Sequence, residues 1–395
     1  MSDDVINLSE NDFVEDKYSR FKLISWWEQE RIRDASVMVV GAGALGNELI
    51  KNLSLLGIGK IIIVDMDLIE NTNLTRSVLF RKEDVGLYKA DVASARAKEI
   101  NPDIKVCSLN CNVIDDIGLG VFRYVDYVLG GLDNREARLA INQAVYKVNK
   151  AWIDGAIEVL NGFARVFVPG QGACYECTMT EMDWKLINKR KSCALLSNQQ
   201  MAEGKIPTTP TSSSIIAGVQ VQELLKLLHS ERNLPVLAGK CFVFNGLTHD
   251  SYVVEYQEKP DCMSHDKYKE IVEINFSVRD TTIRKMLSLV KKDLGETTVL
   301  IFDREIALQA RCSCGEQKDL FLPVHKIKNQ DILCSCGKAM LLRTTHTITG
   351  DEEFLDKTLY EIGIPLFHII TARNKNEEKH YEFSKDKNDV LKGII

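Results

Sequence analysis

The sequence predicts a doubly wound, Rossmann-like α/β domain followed by a smaller α+β domain, and three observations carry that prediction. The first is GAGALG at residues 41–46, set between the apolar run Ser36–Val40 and a helical pattern with apolar positions at Leu49, Ile50, Leu53 and Leu56. A glycine-rich strand-to-helix turn lets backbone N–H groups approach a phosphate without Cβ atoms in the way, and the helix N-terminus adds positive potential. The second is the alternation of short apolar runs with amphipathic stretches as far as Asn149, the pattern of a mostly parallel sheet with crossover helices. The third is a change of pattern after Trp152, where an antiparallel hairpin is expected, and a new strand–helix–strand succession beyond residue 268.

In chain order, residues 1–16 are polar and acidic and read as a flexible arm, and 17–33 has helical spacing. Strand 36–40, helix 47–56 and strand 60–64 follow, then helix 89–100, strands 105–108 and 125–129, and helix 135–149. Residues 183–210 are polar and read as irregular, and 212–229 as an apolar helix. Beyond the expected boundary, 271–276 reads as a strand, 280–294 as an amphipathic helix, 297–302 as a strand, 354–364 as a short helix and 366–371 as a strand, with a charged, partly mobile tail. The partition is therefore an arm (1–16), a large domain (17–268) and a small one (269–395).

At 395 residues, 45% hydrophobic and 27% charged, the chain has ordinary globular composition and is long enough for two cores. A net charge of −6 gives no reason to expect nucleic acid or an anionic membrane as a partner. The acidic start lacks the pattern of a signal or transit peptide, and no apolar run approaches the ~20 residues that span a bilayer, so a cytoplasmic protein is expected. Eleven cysteines would suggest disulfides in an exported chain, but several are spaced as metal ligands: CYEC, CMSH and two CSCG units.

The glycine loop alone does not separate NAD, FAD and ATP. Asp65 ends the second strand 19 residues beyond Gly46, where an acidic side chain can bond a ribose hydroxyl. Asp67, Asn73, Arg76 and Lys89 then lie on loops at the carboxyl edge of the predicted sheet. Hydride transfer has little use for several cations there, whereas charge developing on a leaving pyrophosphate is stabilised by Arg, Lys and a metal ion. Asp133, at the end of the fourth strand, could hold Mg²⁺ directly or through water. Each residue taken singly is equally a surface charge; together they favour a nucleotide triphosphate.

The strings GAGALGNE, DMDLIENTNLTRSVLFRKEDVGLYKA and GLDNREARLAIN resemble the activating enzymes of ubiquitin-like proteins and their bacterial relatives that adenylate sulfur-carrier proteins, over residues 17–265. The resemblance implies that ATP and Mg²⁺ are used to adenylate the C-terminal Gly-Gly carboxylate of a small β-grasp protein. It assigns Gly41, Gly43 and Gly46 to ATP, Asp65 to the ribose, Asn73, Arg76 and Lys89 to the phosphates, and Asp133 to Mg²⁺, with Asp67 as a further nucleotide-binding candidate on the same loops. KYSR at 17–20 matches the stretch whose arginine reaches a neighbouring subunit's phosphates, so Arg20 is expected to act in trans in a homodimer.

Cys174 and Cys177 have the gap that lets two thiolates share one zinc ion, and the resemblance places the second pair at KPDCMSH, giving Cys262 and His265 with His in place of the usual last Cys. Four protein ligands make a closed, structural site. Cys193, in KSCALL beside Lys189, Arg190 and Lys191, is the candidate nucleophile, since cations favour thiolate and a thiolate attacks an acyl-adenylate readily. Some family members carry such a cysteine in a crossover loop before PTT, found here from Pro207. Cys312/Cys314 and Cys334/Cys336 read as the knuckles of a zinc ribbon, against a disulfide or spare thiols. The C-terminal pattern resembles a ubiquitin-fold domain that recruits a conjugating enzyme. The expected activity is adenylation, thioester formation on Cys193 and transfer. The alternatives are a sulfur-carrier adenylyltransferase without thioester transfer, a zinc-stapled scaffold for a β-grasp partner and, last, an NAD-dependent oxidoreductase.

Overall fold

Apolar runs with no polar face become strands covered on both sides. In the computed structural model, which describes residues 16–192 and 207–395, Ser36–Val40 (β1) is buried at every position and pairs in parallel with Lys60–Val64 (β2) and Tyr127–Gly131 (β4). Lys105–Leu109 (β3) extends the sheet beside β2, and Ala151–Glu158 (β5) beside β4. Three antiparallel strands complete it: Asn161–Phe167 (β6), Lys240–Asn245 (β7) and Asp250–Glu255 (β8). The order β3-β2-β1-β4-β5-β6-β7-β8 has its topological switch between β1 and β4, and ligands of such sheets bind outside the strand carboxyl ends there.

The helices fill both faces. Ala44–Leu56 starts three residues earlier than expected, because Gly43 is its N-cap and the glycine turn itself enters the helix. Pro210–Leu228 takes Thr209 as N-cap and Pro at its first turn, and packs Ile216, Ala217, Val221 and Leu224 into the core. The expected helix over 17–33 is broken into a short turn at Phe21–Leu23 and Gln29–Asp34, since Glu28 is extended and donates its N–H to His229 Nε2 at 3.0 Å. Glu181–Ser192 is helical where irregular chain was expected. Thr180 and Asp183 cap it reciprocally: the Thr180 N–H donates to the Asp183 carboxylate at 2.9 Å and the Asp183 N–H to Thr180 Oγ1 at 3.3 Å. β4 begins two residues later than read because Val125, wholly buried, ends the helix Leu119–Tyr124 instead of opening the strand.

A second sheet is made by Ile271–Ile274 (β9), Val299–Arg311 (β10), Gln317–Pro323 (β11), Leu341–Ile348 (β12), Ile369–Arg373 (β13) and Glu378–Phe383 (β14), in the order β11-β10-β13-β14-β9 with β12 also on β10. Ile283, Met286, Leu287, Val290 and Leu294 of the helix Ile283–Leu294 form one buried stripe against it. The helix expected at 354–364 does not form. The carbonyls of Leu355 and Lys357 accept the N–H groups of Arg284 and Ile283 at 2.8 and 3.0 Å, so this segment caps the neighbouring helix while Leu355, Leu359, Ile362 and Ile364 still fill the core. The expected strand 366–371 is shifted because Phe367 adopts φ 53°, and its carbonyl accepts the Gly120 N–H at 3.0 Å. Nor is the charged tail loose: β14 is paired on both edges, and Leu391 and Ile394 are wholly buried in the core of the first sheet.

The seam between the sheets carries two buried histidines. Burial pushes His380 down to about 4, with Tyr268 stacked on its ring at 3.6 Å, and burial also lowers His368. No helix among the described residues is long and apolar enough to cross a membrane. Because a lowered histidine keeps the fold's preference for the neutral ring, its contribution is complete above the ordinary 6.5 and is lost as pH falls from 6.5 toward 4. Thermal melts across that range should show this decline, and His380→Gln should flatten it; an equally steep decline in the variant would remove His380 as its source.

Candidate nucleotide site and metal centres

At the switch point the backbone leaves no room for side chains. Gly41 has φ 90°, and a Cβ there would lie 2.5 Å from the Gly131 carbonyl oxygen; a Cβ on Gly46 would lie 1.8 Å from the Gly41 carbonyl. Gly43 is different. No atom lies within 4 Å of its ideal Cβ, and it faces a cleft of about 2130 Å³ at the strand carboxyl ends. The first two glycines thus serve the turn and helix packing, and the third leaves open the space in front of the helix N-terminus.

Asn47, missed from the sequence, holds the turn closed. Wholly buried, it donates to the carbonyls of Ala42 and Gly43 at 2.7 and 3.0 Å and accepts the Leu79 N–H at 2.9 Å. Asp65 accepts the Ala42 N–H at 2.6 Å and the Asp67 N–H at 2.8 Å. Burial raises its pKa, against the opposing pull of Lys89 and these two donors. Lys89, only 11% exposed at its side chain, bonds Asp67 at 2.7 Å. Asn73 accepts the Glu70 N–H at 2.9 Å, and Arg76 donates to the Thr72 carbonyl at 2.8 Å, so both hold the loop that forms one wall. Asp133 is exposed on the opposite wall, next to Asn134, which caps the helix Arg135–Lys147. Gly41, Gly43, Asp65, Asp67, Asn73, Arg76, Lys89 and Asp133 therefore line one cleft, with Gly46 packed behind it. Such a site offers N–H donors, cations and carboxylates to a phosphate-bearing ligand. Arg20 is exposed and is not among the residues lining this cleft. Cys193 lies outside the described residues.

Behind the floor, Asp154 is wholly buried between two arginines that the sequence reading did not single out. Arg138 Nε reaches it at 2.9 Å and also bonds the Leu132 carbonyl at 2.6 Å through Nη2, and Arg165 Nε reaches it at 3.1 Å. Arg138 and Arg165 themselves line the cleft, and one carboxylate between two guanidinium groups leaves a net positive charge at this part of its wall.

The first metal candidate brings Cys174, Cys177, Cys262 and His265 within 4.8 Å of one another. Cys174 Sγ lies 3.7 Å from Cys177 Sγ and 3.5 Å from Cys262 Sγ, and Cys177 Sγ lies 3.4 Å from His265 Nε2. Ligands at about 2.0–2.3 Å from a tetrahedral zinc ion sit roughly this far apart, whereas a disulfide needs about 2 Å. Glu258 faces the other ring nitrogen of His265 at 3.3 Å, and Lys259 N–H points at Cys177 Sγ. The second candidate, Cys312, Cys314, Cys334 and Cys336, has sulfur pairs at 3.6 and 3.3 Å. Each CSCG unit turns back on itself, with Gly315 N–H on the Cys312 carbonyl and Gly337 N–H on the Cys334 carbonyl. Both donor sets fit zinc.

Gly43→Ala should melt like the parent and bind ATP more weakly, whereas Gly46→Ala should lower the melting temperature outright; equal stability of the two variants would contradict the close packing of Gly46. Metal analysis of the purified chain should find close to two zinc ions, falling to about one in Cys262→Ser, and an unchanged content would exclude the Cys262 site.

Residues 15–264 match the model of the ThiF family. Over 268 residues the chain is 32% identical to ubiquitin-like modifier-activating enzyme 5 of Dictyostelium discoideum, covering 62% of this chain and 67% of that protein. It is 31% identical to the protein of the same name from Bombyx mori, covering 59% and 60%. The chain thus spans between 60% and 67% of the length of these relatives. The crystal structure of E. coli MccB with ATP superposes with a TM-score of 0.54 at 25% identity, over 65% of this chain and 75% of that one. With this family model over more than half of its length and a sheet that superposes on that of MccB, the chain belongs to the ThiF family.

Proposed function

We propose that the chain uses ATP to adenylate the C-terminal carboxylate of a ubiquitin-like protein, captures the acyl group as a thioester on Cys193, and passes it to a conjugating enzyme. The observation that carries this reading is the convergence in one cleft of the Gly43 opening, Asp65, Lys89 and Asp133. Asp65 takes the ribose, and the free N–H groups of the helix Ala44–Leu56, with Asn73, Arg76 and Lys89, take the phosphates. Lys89 arrives already paired with Asp67, so a phosphate has only to displace one carboxylate to recruit its ammonium. Asp133 would hold Mg²⁺, which when bound neutralises charge developing on pyrophosphate. The net positive charge of Arg138 and Arg165 around Asp154 in the cleft wall favours an incoming carboxylate.

In this reading Arg20 completes the phosphate site of the second subunit of a homodimer, which accords with its exposure away from its own cleft. Two structural zinc ions fix the antiparallel half of the large unit and the tip of the β10–β11–β12 ribbon. The small unit, read as ubiquitin-fold-like, recruits the conjugating enzyme. One comparison favours a second reading, adenylation alone: MccB is seen with ATP and, in other crystals, with MccA.

The test is ATP–pyrophosphate exchange with candidate ubiquitin-like proteins, run beside non-reducing gels. Asp133→Ala should lower exchange by about 100-fold or more with zinc content unchanged. Cys193→Ala should keep exchange and lose the thiol-sensitive adduct. Exchange without any adduct in the parent would leave adenylation alone and return Cys193 to an incidental residue.

A further inference from the structure

If phosphates sit at the glycine turn beyond β1 and the ribose at Asp65 beyond β2, the base continues in the same direction, toward the carboxyl end of β3. That end is the loop of residues 110–118. Cys111, Asn112, Val113 and Ile114 line the cleft there. The Leu109 carbonyl accepts both the Asp65 N–H at 3.2 Å and the Cys111 N–H at 3.0 Å, so the loop leaves the sheet beside the ribose carboxylate.

The far side of this loop is gripped by the small unit. Lys326 Nζ donates to Asp116 Oδ1 at 2.5 Å, and the other oxygen of the same carboxylate accepts the Asn112 N–H at 3.0 Å. Arg304 Nη1 donates to the Asp115 carbonyl at 2.9 Å, while His325 pairs with the Asp115 carboxylate. Next along, the Leu119 N–H donates to His368 Nδ1 at 3.2 Å. Gly118 is pressed against the small unit so closely that a Cβ would lie 2.3 Å from the Leu366 carbonyl.

We propose that Lys326, acting through Asp116 and the Asn112 backbone, is a positioning residue of the small unit that sets the base-side wall of the nucleotide cleft. The inference rests on the nucleotide reading of that cleft but not on the acyl acceptor or the thioester. Its mark is selectivity within the ligand. Contacts to phosphates come from the glycine turn, Arg76 and Lys89, which Lys326 does not touch, so only the base end should feel its loss. A loss of general stability would weaken both ends alike.

The experiment is calorimetric titration of the full chain with MgATP and, separately, with magnesium tripolyphosphate, which has no base. Lys326→Glu should raise the Kd for ATP about five- to tenfold, with tripolyphosphate within about twofold of the parent, and Lys326→Arg should restore ATP binding. Asp116→Asn, which keeps the side-chain volume and weakens both bonds, should move ATP in the same direction. An unchanged Kd for ATP in Lys326→Glu, or equal weakening of both ligands, overturns the proposal. If these shifts appear while the parent has no pyrophosphate exchange with any ubiquitin-like protein, the positioning role stands and the activation reading falls.

Discussion

The contact between Gly41, Gly46 and Gly131 is the constraint on which the site depends. Three backbones meet where β1, β4 and the helix Ala44–Leu56 converge, at distances that exclude any Cβ on Gly41 or Gly46. This contact directs the helix N-terminus at the crevice. It brings Ala42 N–H to Asp65, and it sets Asp133, two residues beyond Gly131, on the facing wall. Asn47 then ties the turn to Leu79 and so to the segment just after Arg76. The helix N-terminus, the Asp65 carboxylate and Asp133 are thus positioned by one packing event in the backbone.

The metal candidates solve a different problem. Cys174 and Cys177 stand on the short helix Tyr175–Thr178, while Cys262 and His265 come from the chain after β8. Tyr146 stacks on His265 with centroids 5.6 Å apart, which joins that segment to the helix Arg135–Lys147 and so to the cleft wall. The segment between β8 and β9 contributes only Tyr256, Cys262 and Tyr268 to the edge of the core, each partly buried. Four metal ligands can therefore fix it at a point where hydrophobic burial is thin. The same reasoning applies at the ribbon tip, where the buried cluster consists of only Ala310, Cys312, Cys334 and Met340.

What could be read from the sequence was local: the glycine turn, β1 and β2 beside it, the acid after β2, and cysteine pairs one or two residues apart. These signals come from chain geometry over a few residues and survive whatever packs around them. What could not be read depended on partners far along the chain. Asn47 is an ordinary helical position until Leu79 N–H is brought to it, and Asp154 is a strand residue until Arg138 and Arg165 close on it from two directions. The segment 354–364 has helical apolar spacing, yet its carbonyls are taken by the first turn of another helix. Tail residues looked loose because their charges outnumber the few large apolar side chains, Tyr381, Phe383, Leu391 and Ile394, that decide their burial. Thr180-x-x-Asp183 is the exception: a capping pattern of this kind spans only four residues and can be read locally, but the reading of 183–210 as irregular rests on polarity alone.

The seam between the two sheets explains why the small unit can act on the cleft wall at all. The Asp303 side chain is only 15% exposed, and this desolvation pushes its pKa up, yet His368 and Arg304 outweigh it and hold the carboxyl well below the usual carboxylate range. A buried charge cluster of this kind adds little net stability over a well-packed apolar one, because desolvation offsets most of the attraction. It differs from an apolar contact in tolerance. Leu and Phe side chains can slide by an ångström and repack, whereas Asp303, Arg304 and His368 satisfy one another and the Leu119 N–H in a single register. A seam built from directional bonds transmits position. The loop that carries Asn112 is therefore held at a defined distance from Asp65 by groups belonging to both sheets, and the width of the cleft beside that loop is a property of the two sheets together.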